Sequence, residues 1–295
     1  MRRVLKWIGR ILAGLLVLAG LLAAVVSILS ERMLDTEYVI PEASLAIDMT
    51  NADLERGQHL VNTLGFCTEC HGPDLAGLVM EDDPVVGRLV STNLTGGEGG
   101  IGGRFTEQDW VRAIRHGVGE DGRSLIVMPA NFFGWLGDSD LASVIAYLET
   151  LPPVDNVLPE IQIRLMARLF VIVDSTQLPA SVIDHQARRP AEPQPGATAE
   201  YGRYLANNCK LCHGPGFAGI EGSGGGLNLT PGGDLANWTE ADFITALRTG
   251  VRPSGEDLDP ELMPWETLGK LTDDEIKALW LFLQSLPPVE GPPEG

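Results

Sequence analysis

The chain has 295 residues, a length that suggests about two domains, and its 44% hydrophobic and 21% charged residues are ordinary globular values. This composition excludes a disordered or collagen-like chain. The 35 glycines exceed the usual share and predict many loops. The net charge is −19, and removal of the four basic residues in the first ten positions leaves 17 basic and 40 acidic residues, or −23. Such an acidic body excludes nucleic acid as a partner and favours a basic protein.

The N-terminal region combines a basic cluster with a long uncharged segment. Residues 1–10 form a basic tail without an acidic residue, and residues 11–30 carry no charge. At about 1.5 Å per residue, a helix over this segment spans a bilayer core of about 30 Å. The segment exceeds the apolar region of a signal peptide, so a retained single-pass anchor is predicted, with a cleaved signal as the alternative. Because basic residues stay cytoplasmic, the rest of the chain is expected on the periplasmic side of a bacterial inner membrane.

The four cysteines occur as two pairs, and a histidine follows each pair directly. The motifs are Cys67-Thr-Glu-Cys70-His71 and Cys209-Lys-Leu-Cys212-His213. C-x-x-C-H is the pattern that attaches haem c, because two thiols add to the porphyrin vinyl groups and the next residue places an imidazole under the iron. The alternatives are a disulfide, a redox-active C-x-x-C, or half of a zinc site. Because a zinc site built from both pairs does not need these histidines, two covalently attached haem c groups are predicted.

Three further elements recur at an offset of 135 residues, whereas the haem motifs are offset by 142. These elements are Asn93-Leu-Thr95 with Asn228-Leu-Thr230, Met128-Pro129 with Met263-Pro264, and Leu151-Pro-Pro-Val154 with Leu286-Pro-Pro-Val289. A constant offset over separate elements is typical of an internal repeat. The sequence therefore predicts a duplicated haem-binding unit.

Each copy has the pattern of a few short helices between glycine-rich loops. Thr106 and Thr239 open N-terminal capping signals, and Gly117 and Gly250 are stop signals. The last helix of each copy is expected to begin near Asp138 and near Thr272, with one apolar face and a double proline after its end. Because no alternating strand pattern is evident, the predicted fold class is all-α.

A six-coordinate iron needs a second axial ligand besides the histidine, and methionine raises the potential and favours electron transfer. Met128 and Met263 occupy equivalent places in the two copies, each before a proline, so they are the predicted ligands with His71 and His213. Met80 is the main alternative in the first copy. Of the remaining histidines, His59 is interpreted as a packing residue, His116 as a residue at a helix C-terminus and His185 as a solvent-facing linker residue.

Contacts that support the ligands are open to more than one interpretation. Each iron-binding histidine is expected to donate its free ring N–H to a carbonyl, with the loops after Gly72 and Gly214 as candidates. Asn93 and Asn228 are predicted to contribute to cofactor binding by a hydrogen bond to a haem propionate or to the methionine loop. Simple turn capping is the equally weighted alternative for both asparagines.

Residues 155–197 belong to neither copy and are interpreted as a linker. Its apolar segment, residues 161–173, is too short and too charged to span a bilayer. It either lies on the membrane surface or packs in the groove between the domains or against a partner subunit, and packing is favoured. Residues 186–198 have the proline-rich composition of a flexible tether.

Each copy resembles a class I cytochrome c domain. The elements Ser91-Thr-Asn-Leu-Thr95, Gly100-Ile-Gly-Gly-Arg-Phe105, Ala113-Ile-Arg-His-Gly-Val118 and the Met-Pro and Leu-Pro-Pro-Val elements are similar to those of cytochrome c subunits of membrane-bound bacterial alcohol and gluconate dehydrogenases. The resemblance covers about residues 52–154 and 198–290. It implies two tandem domains, at residues 50–154 and 198–291, after the transmembrane helix. Those subunits usually carry three haem motifs, whereas this chain has two.

The expected function is one-electron transfer by a membrane-anchored dihaem cytochrome c, either as a tethered carrier or as the cytochrome subunit of a dehydrogenase or respiratory complex, and not itself an enzyme. Its expected partners are a dehydrogenase or quinol-oxidising complex and a terminal oxidase or other electron acceptor. The alternatives are a dihaem peroxidase-like enzyme and a haem-based sensor. Both alternatives require one haem iron with an open site, against which the two matched methionines argue.

Overall fold

The computed structural model describes residues 2–189, 192–220 and 226–291, which are mostly helical. The α-helices are α1 (Arg2–Leu34), α2 (Glu42–Leu45), α3 (Leu54–Val61), α4 (Cys67–His71), α5 (Glu107–His116), α6 (Ala130–Phe133), α7 (Asp138–Glu149), α8 (Leu165–Val173), α9 (Ala199–Leu205), α10 (Lys210–His213), α11 (Glu240–Thr249), α12 (Trp265–Leu268) and α13 (Asp273–Gln284). Single 3-10 turns span Ser175–Gln177, Pro179–Ser181, Ala206–Cys209 and Asp234–Asn237. The strands are β1 (Val79–Asp83), β2 (Gly87–Val90) and β3 (Gln162–Ile163).

The chain forms two compact units that are each assembled from separate stretches of sequence. Unit 1 contains Met1–Ala46, Ala76–Asn131 and Pro153–Gln186. Unit 2 contains Ile47–Leu75, Phe132–Pro152 and Ala187–Gly295. Both C-x-x-C-H motifs therefore lie in unit 2.

Helix α1 of unit 1 contains the whole predicted anchor, residues 11–30. It is long and apolar enough to cross a membrane, and its most apolar 18-residue window is entirely unburied. A helix that exposes this much apolar surface is unfavourable in water, so its sequence suits a lipid environment.

The predicted helix boundaries follow from local hydrogen bonds. Thr106 and Thr239 each close a capping box with the aspartate three residues later, which confirms the two N-terminal signals. Gly117 and Gly250 end α5 and α11 with φ of +63° and +72°, a backbone conformation that favours glycine. Thr272 forms the third capping box at the start of α13. The predicted starts and stops of these helices are confirmed.

The core of unit 2 contains two equivalent helix crossings, each of which passes over a glycine. A Cβ atom on Gly57 of α3 would overlap the carbonyl oxygen of Ser143 in α7. A Cβ atom on Gly202 of α9 would overlap the carbonyl oxygen of Ala278 in α13. The absence of a side chain thus lets the backbones of each pair approach closely. The two copies share this packing as well as their sequence elements.

Unit 1 contains a small antiparallel sheet with the order β1-β2-β3, so the expectation of an all-α fold is not met. The side chains of β1 are exposed except for a half-buried Asp83, so this strand has no buried face. A strand without a buried face lacks the period of two that identifies strands in sequence. His71 precedes Asn93 by 22 residues, whereas His213 precedes Asn228 by 15, and the β1-β2 hairpin occupies this longer connection.

The segment interpreted as a linker is partly built into unit 1. Asn156 donates from Nδ2 to the carbonyl oxygens of Ala76 and Gly77, at 2.9 and 3.1 Å. Strand β3 pairs with Gly87 and Arg88 of β2. Helix α8 packs against α1, which is neither the groove between the domains nor a partner subunit. Within the predicted tether of residues 186–198, residues 190 and 191 lie outside the described parts of the chain.

Candidate haem-binding sites

Each C-x-x-C-H motif forms a single helical turn that ends at its histidine. The first motif is α4, and the second comprises the end of a 3-10 turn and α10. All four cysteines are free, half-buried thiols. Within residues 2–189, 192–220 and 226–291, no group of three or more histidine, cysteine or acidic side chains is arranged to hold a metal ion.

The surroundings of the four cysteines favour the protonated thiol over the thiolate. Burial raises the pKa of Cys67 and of Cys209 to about 12, and the neighbouring cysteine of each motif adds to the increase. Burial also raises the pKa values of Cys70 and Cys212. Redox-active C-x-x-C motifs work through a thiolate whose pKa is lowered. The raised pKa values therefore argue against a thiol–disulfide catalyst.

The geometry of His213 fixes its tautomer. Its Nδ1 lies 2.6 Å from the carbonyl oxygen of Leu227. Because a carbonyl only accepts, Nδ1 must carry the hydrogen, and a neutral ring then presents the lone pair of Nε2 to a metal. Burial lowers the pKa of His213, which keeps the imidazole neutral. The acceptor, Leu227, lies in the connection that begins at Gly214, which was a candidate from the sequence.

The space behind the His213 ring is filled by backbone. A Cβ atom on Gly226 would lie 2.5 Å from Nδ1 of His213. The ring is consequently held between the Gly226 backbone and its hydrogen bond to Leu227.

The loops that follow the two motifs have the same backbone conformation. Positive φ angles occur one, four and six residues after each histidine. These positions are Gly72, Leu75 and Gly77 in the first copy and Gly214, Phe217 and Gly219 in the second. A leucine and a phenylalanine at positive φ are uncommon, so their recurrence indicates a shared structural demand. The duplication thus extends to the strained backbone beside each motif.

The two predicted methionine ligands share one local structure. Both are half-buried. The carbonyl oxygen of each methionine accepts a hydrogen bond from the backbone amide of the residue after the proline. The amide of Ala130 donates to Met128 at 2.8 Å, and that of Trp265 donates to Met263 at 2.6 Å. Met263 packs against the core of unit 2. Met80, the alternative in the first copy, lies on β1 with 38% of its surface exposed.

The two asparagines make matching bonds to the end of their copy. Asn93 donates from Nδ2 to the carbonyl oxygen of Val154 at 2.8 Å, and its Oδ1 accepts from the backbone amide of Thr95. Asn228 makes the same bonds to Val289, at 2.6 Å, and to Thr230. These bonds are those of the turn-capping alternative, and they fasten the turn to the Pro-Pro-Val segment. Contact of either asparagine with the cofactor stays a prediction.

Hydrogen bonds inside unit 2 join the two motif segments directly. Asn208, which precedes Cys209, donates to the carbonyl oxygen of Leu64 and accepts at 2.8 Å from the indole N–H of Trp135. Thr267 of α12 donates to Glu69, which lies between the cysteines of the first motif. These contacts could not be predicted from the sequence, because partners 73 to 198 residues apart produce no local pattern.

A buried charge cluster joins helices of both copies in unit 2. Arg56 of α3 bonds to Asp140 of α7 and to Glu275 of α13, each at 2.8 Å. The other carboxylate oxygen of Glu275 accepts from His59 at 2.7 Å and from the amide of Thr272. Burial by itself would raise the pKa of Glu275, but these bonds and the charge of Arg56 outweigh it and lower the pKa to about 2. His59 therefore has a specific hydrogen-bond partner, Glu275, beyond the expected packing role.

The other two unassigned histidines pair with each other in unit 1. His116 is fully buried, and its Nδ1 lies 3.1 Å from Nδ1 of His185. His116 Nε2 donates to the carbonyl oxygen of Ser44. His185 is half-buried and bonds to Ala180 as well, so the expectation that it faces solvent is wrong.

One buried polar atom fits the presence of an anionic group beside α5. Trp110 is 2% exposed, and its indole N–H has no acceptor among the residues that the structure describes. Buried N–H groups are almost always hydrogen-bonded, to protein, to ordered water or to a bound molecule, so this donor is available to such an acceptor. A carboxylate such as a haem propionate satisfies it. Together with the His213 tautomer and the free thiols, Trp110 makes the residues present a fit for haem c.

Comparison with known proteins agrees with this geometry. The family model described as cytochrome c oxidase, cbb3-type, subunit III, matches residues 52–148 and 196–283, more than half of the chain and both motifs. One of the subunits of nicotinate dehydrogenase from Pseudomonas putida is 31% identical over 81% of this chain and 20% of its own length. The cytochrome c subunit of a quinone alcohol dehydrogenase from Gluconacetobacter polyoxogenes is 28% identical over 82% of this chain and 58% of its own length.

A third relative is similar in size to this chain. A diheme cytochrome c-type protein of Cereibacter sphaeroides is 25% identical over 77% of this chain and 83% of its own length. The chain thus spans less than two thirds of the two dehydrogenase subunits. The predicted resemblance to cytochrome c subunits of alcohol dehydrogenases is confirmed. Because the family model matches both copies of the motif, the chain belongs to the cytochrome c family described as cytochrome c oxidase, cbb3-type, subunit III.

Proposed function

We propose that the chain is a membrane-anchored dihaem cytochrome c that transfers single electrons on the outer face of the inner membrane. The observation that carries this proposal is the duplicated site: two C-x-x-C-H turns, each followed by the same triplet of positive φ angles and by an equivalent Met-Pro turn. A duplicated site of this kind supports two cofactors of one type. When bound, haem c supplies one-electron Fe(III)/Fe(II) chemistry.

The residues of the chain set the conditions for that chemistry. Cys67 and Cys70 hold one haem covalently, and Cys209 and Cys212 hold the other. His213 presents Nε2 because Leu227 takes up its other ring N–H, and His71 has the same role by the repeat. Met128 and Met263 complete the ligand sets through their thioether sulfurs. An iron that a thioether occupies has no open position for small molecules, which suits electron transfer better than oxygen chemistry.

The proposed domains are the two tandem copies, residues 50–154 and 198–291, behind the anchor. The basic tail at the N-terminus supports an orientation with the haem domains in the periplasm. Because two relatives are named as subunits of dehydrogenases, the proposed electron donor is a dehydrogenase. The acceptor is a protein of the respiratory chain, which the chain serves as a carrier or as a fixed subunit.

The function is tested on the full-length holoprotein purified from membranes in mild detergent. Haem is counted per chain from the alkaline pyridine spectrum, and the potentials are measured by redox titration. We expect two haems per chain and no carbon monoxide binding by the reduced protein. A count of one or none contradicts the dihaem proposal, and binding of carbon monoxide favours an open site and the peroxidase or sensor alternatives.

The axial ligands are tested by Met128→Ala and Met263→Ala, with Met80→Ala as the control. Each of the first two variants is expected to lower one potential and to let one haem bind carbon monoxide, because loss of the thioether opens the iron. Met80→Ala is expected to leave both haems unchanged. If neither variant alters a haem, the methionine assignment fails.

Proteins that copurify with the wild-type chain identify its partner.

A further inference from the structure

We propose that α8 is a membrane-surface helix whose exposed apolar face lies at the boundary of lipid headgroups and acyl chains, beside the outer end of α1. The proposal rests on the membrane anchoring by α1 put forward above. It adds a second contact between unit 1 and the bilayer, made by a segment too short to span it.

Helix α8 has two distinct faces. Ala167 and Val171 point toward protein and are 9% and 3% exposed. The opposite face consists of large apolar side chains that are 40% to 68% exposed: Leu165, Met166, Leu169, Phe170 and Val173. Their spacing of one, three, one and three residues places them on one side of a helix. The only charged residue in α8 is Arg168, so the exposed face is uniformly apolar.

The position of α8 identifies the medium that covers this face. Arg168 donates through Nη1 to Ser30 Oγ at 3.0 Å and to the carboxylate of Glu31. Ser30 is the last residue of the uncharged segment and the one buried residue among those that the structure describes in α1. In a membrane-spanning α1, this point lies where the hydrocarbon core ends. Helix α8 is therefore fastened to the anchor at the level of the headgroups.

The bilayer is a better occupant of this face than a protein partner. Ile28 and Leu29 of α1, next to Ser30, are 56% and 44% exposed and need lipid around them if α1 is the anchor. The apolar face of α8 belongs to a helix packed on the same end of α1. Short helices with one apolar face bind the interface with their long axis in its plane. The ion pair of Arg168 with Glu31 provides a charged group at the polar boundary.

The test uses a photocrosslinking amino acid, benzoylphenylalanine, in place of Phe170 in the full-length haem-loaded protein in its native membranes. Val85, which is 57% exposed on the turn between β1 and β2 of unit 1, is the control position. After irradiation, mass spectrometry of the tryptic peptides identifies what each probe has captured. The haem spectrum and retention in the membrane after an alkaline carbonate wash are recorded on the same sample.

Phospholipid adducts at position 170, several-fold above those at position 85, are the expected result. Adducts of position 170 with a protein, or a lipid yield no higher than that of position 85, overturn the proposal. Loss of the chain from the membrane in the carbonate wash refutes the anchor itself. If the unsubstituted protein lacks the absorption spectrum of haem c, the proposed function is refuted. A chain that is retained and spectrally normal but lacks lipid adducts refutes only the role of α8.

Discussion

At the level of single residues, the best-defined feature is the support behind the His213 ring. The Nδ1–H bond to Leu227 and the close backbone of Gly226 fix both the tautomer and the plane of the imidazole. A ring held in this way presents its Nε2 in one direction without reorganisation. Sequence analysis identified the histidine from its motif, but the acceptor lies 14 residues further on and has no sequence pattern of its own.

Gly226→Ala should disturb the second haem selectively. The new Cβ would lie 2.5 Å from Nδ1 of His213, so the ring must shift or tilt. We expect a changed absorption or magnetic resonance signal and a shifted potential for one haem of the two. Gly216→Ala is the matched control, because a Cβ there meets nothing within 4 Å. Equal spectra for both variants would contradict the proposed packing.

Glu275 should make the stability of the protein sensitive to acid. Its pKa is about 2 in the folded protein against an ordinary value of 4.5, so its stabilising contribution is complete above about pH 5 and disappears as the pH falls toward 2. The shift corresponds to about 3 kcal/mol of unfolding free energy at neutral pH. Glu275→Gln keeps an acceptor for the capping box but loses the charge that faces Arg56 and His59.

We therefore expect Glu275→Gln to lower the melting temperature at pH 7 and to flatten its dependence on pH between 5 and 2. Thermal unfolding of the holoprotein, followed by circular dichroism, measures both effects. Glu261→Gln, at an exposed position, should behave as the wild type does. If the melting temperature of Glu275→Gln depends on pH as that of the wild type does, the charge of Glu275 does not stabilise the buried cluster.

At the level of the helices, much of the structure could be predicted from sequence. The capping boxes of α5, α11 and α13 and the C-terminal glycines of the first two are local signals, and local hydrogen bonds realise them. Strand β1 escaped prediction because its exposed, acidic sequence has no apolar period. The bonds between Trp135, Asn208 and Leu64 escaped it because their positions are set by tertiary packing.

The helix crossings give a test at this level. Gly202→Ala should destabilise unit 2 by about 1 to 3 kcal/mol, because the added methyl group overlaps the carbonyl oxygen of Ala278 and pushes α9 away from α13. Denaturant unfolding of the holoprotein measures the change, with Gly216→Ala as the reference substitution. A variant as stable as the reference would mean that the crossing has room for a side chain.

At the level of the whole molecule, the dominant property is the net charge of −19. In the proposed electron carrier, such a surface would attract a basic redox partner, and salt would shorten the distance over which this attraction acts. Electron transfer to a basic acceptor should slow by about tenfold or more between low and high ionic strength. Stopped-flow measurement of haem oxidation over a salt series tests this effect. A rate that does not change with salt would exclude electrostatic docking.

The bonds of Arg56 and His59 to Glu275 also bear on how the protein matures. These partners lie more than 200 residues apart, at the beginning of the first copy and in the last helix of the second. A ribosome makes the chain from its N-terminus, so both basic side chains exist long before their carboxylate does. The first copy is thus expected to reach its final packing only after the second has been synthesised. An excised first copy would keep the pair of Arg56 with Asp140, but Arg56 and His59 would both lose Glu275, so the duplication has produced one interdependent structure from two similar halves.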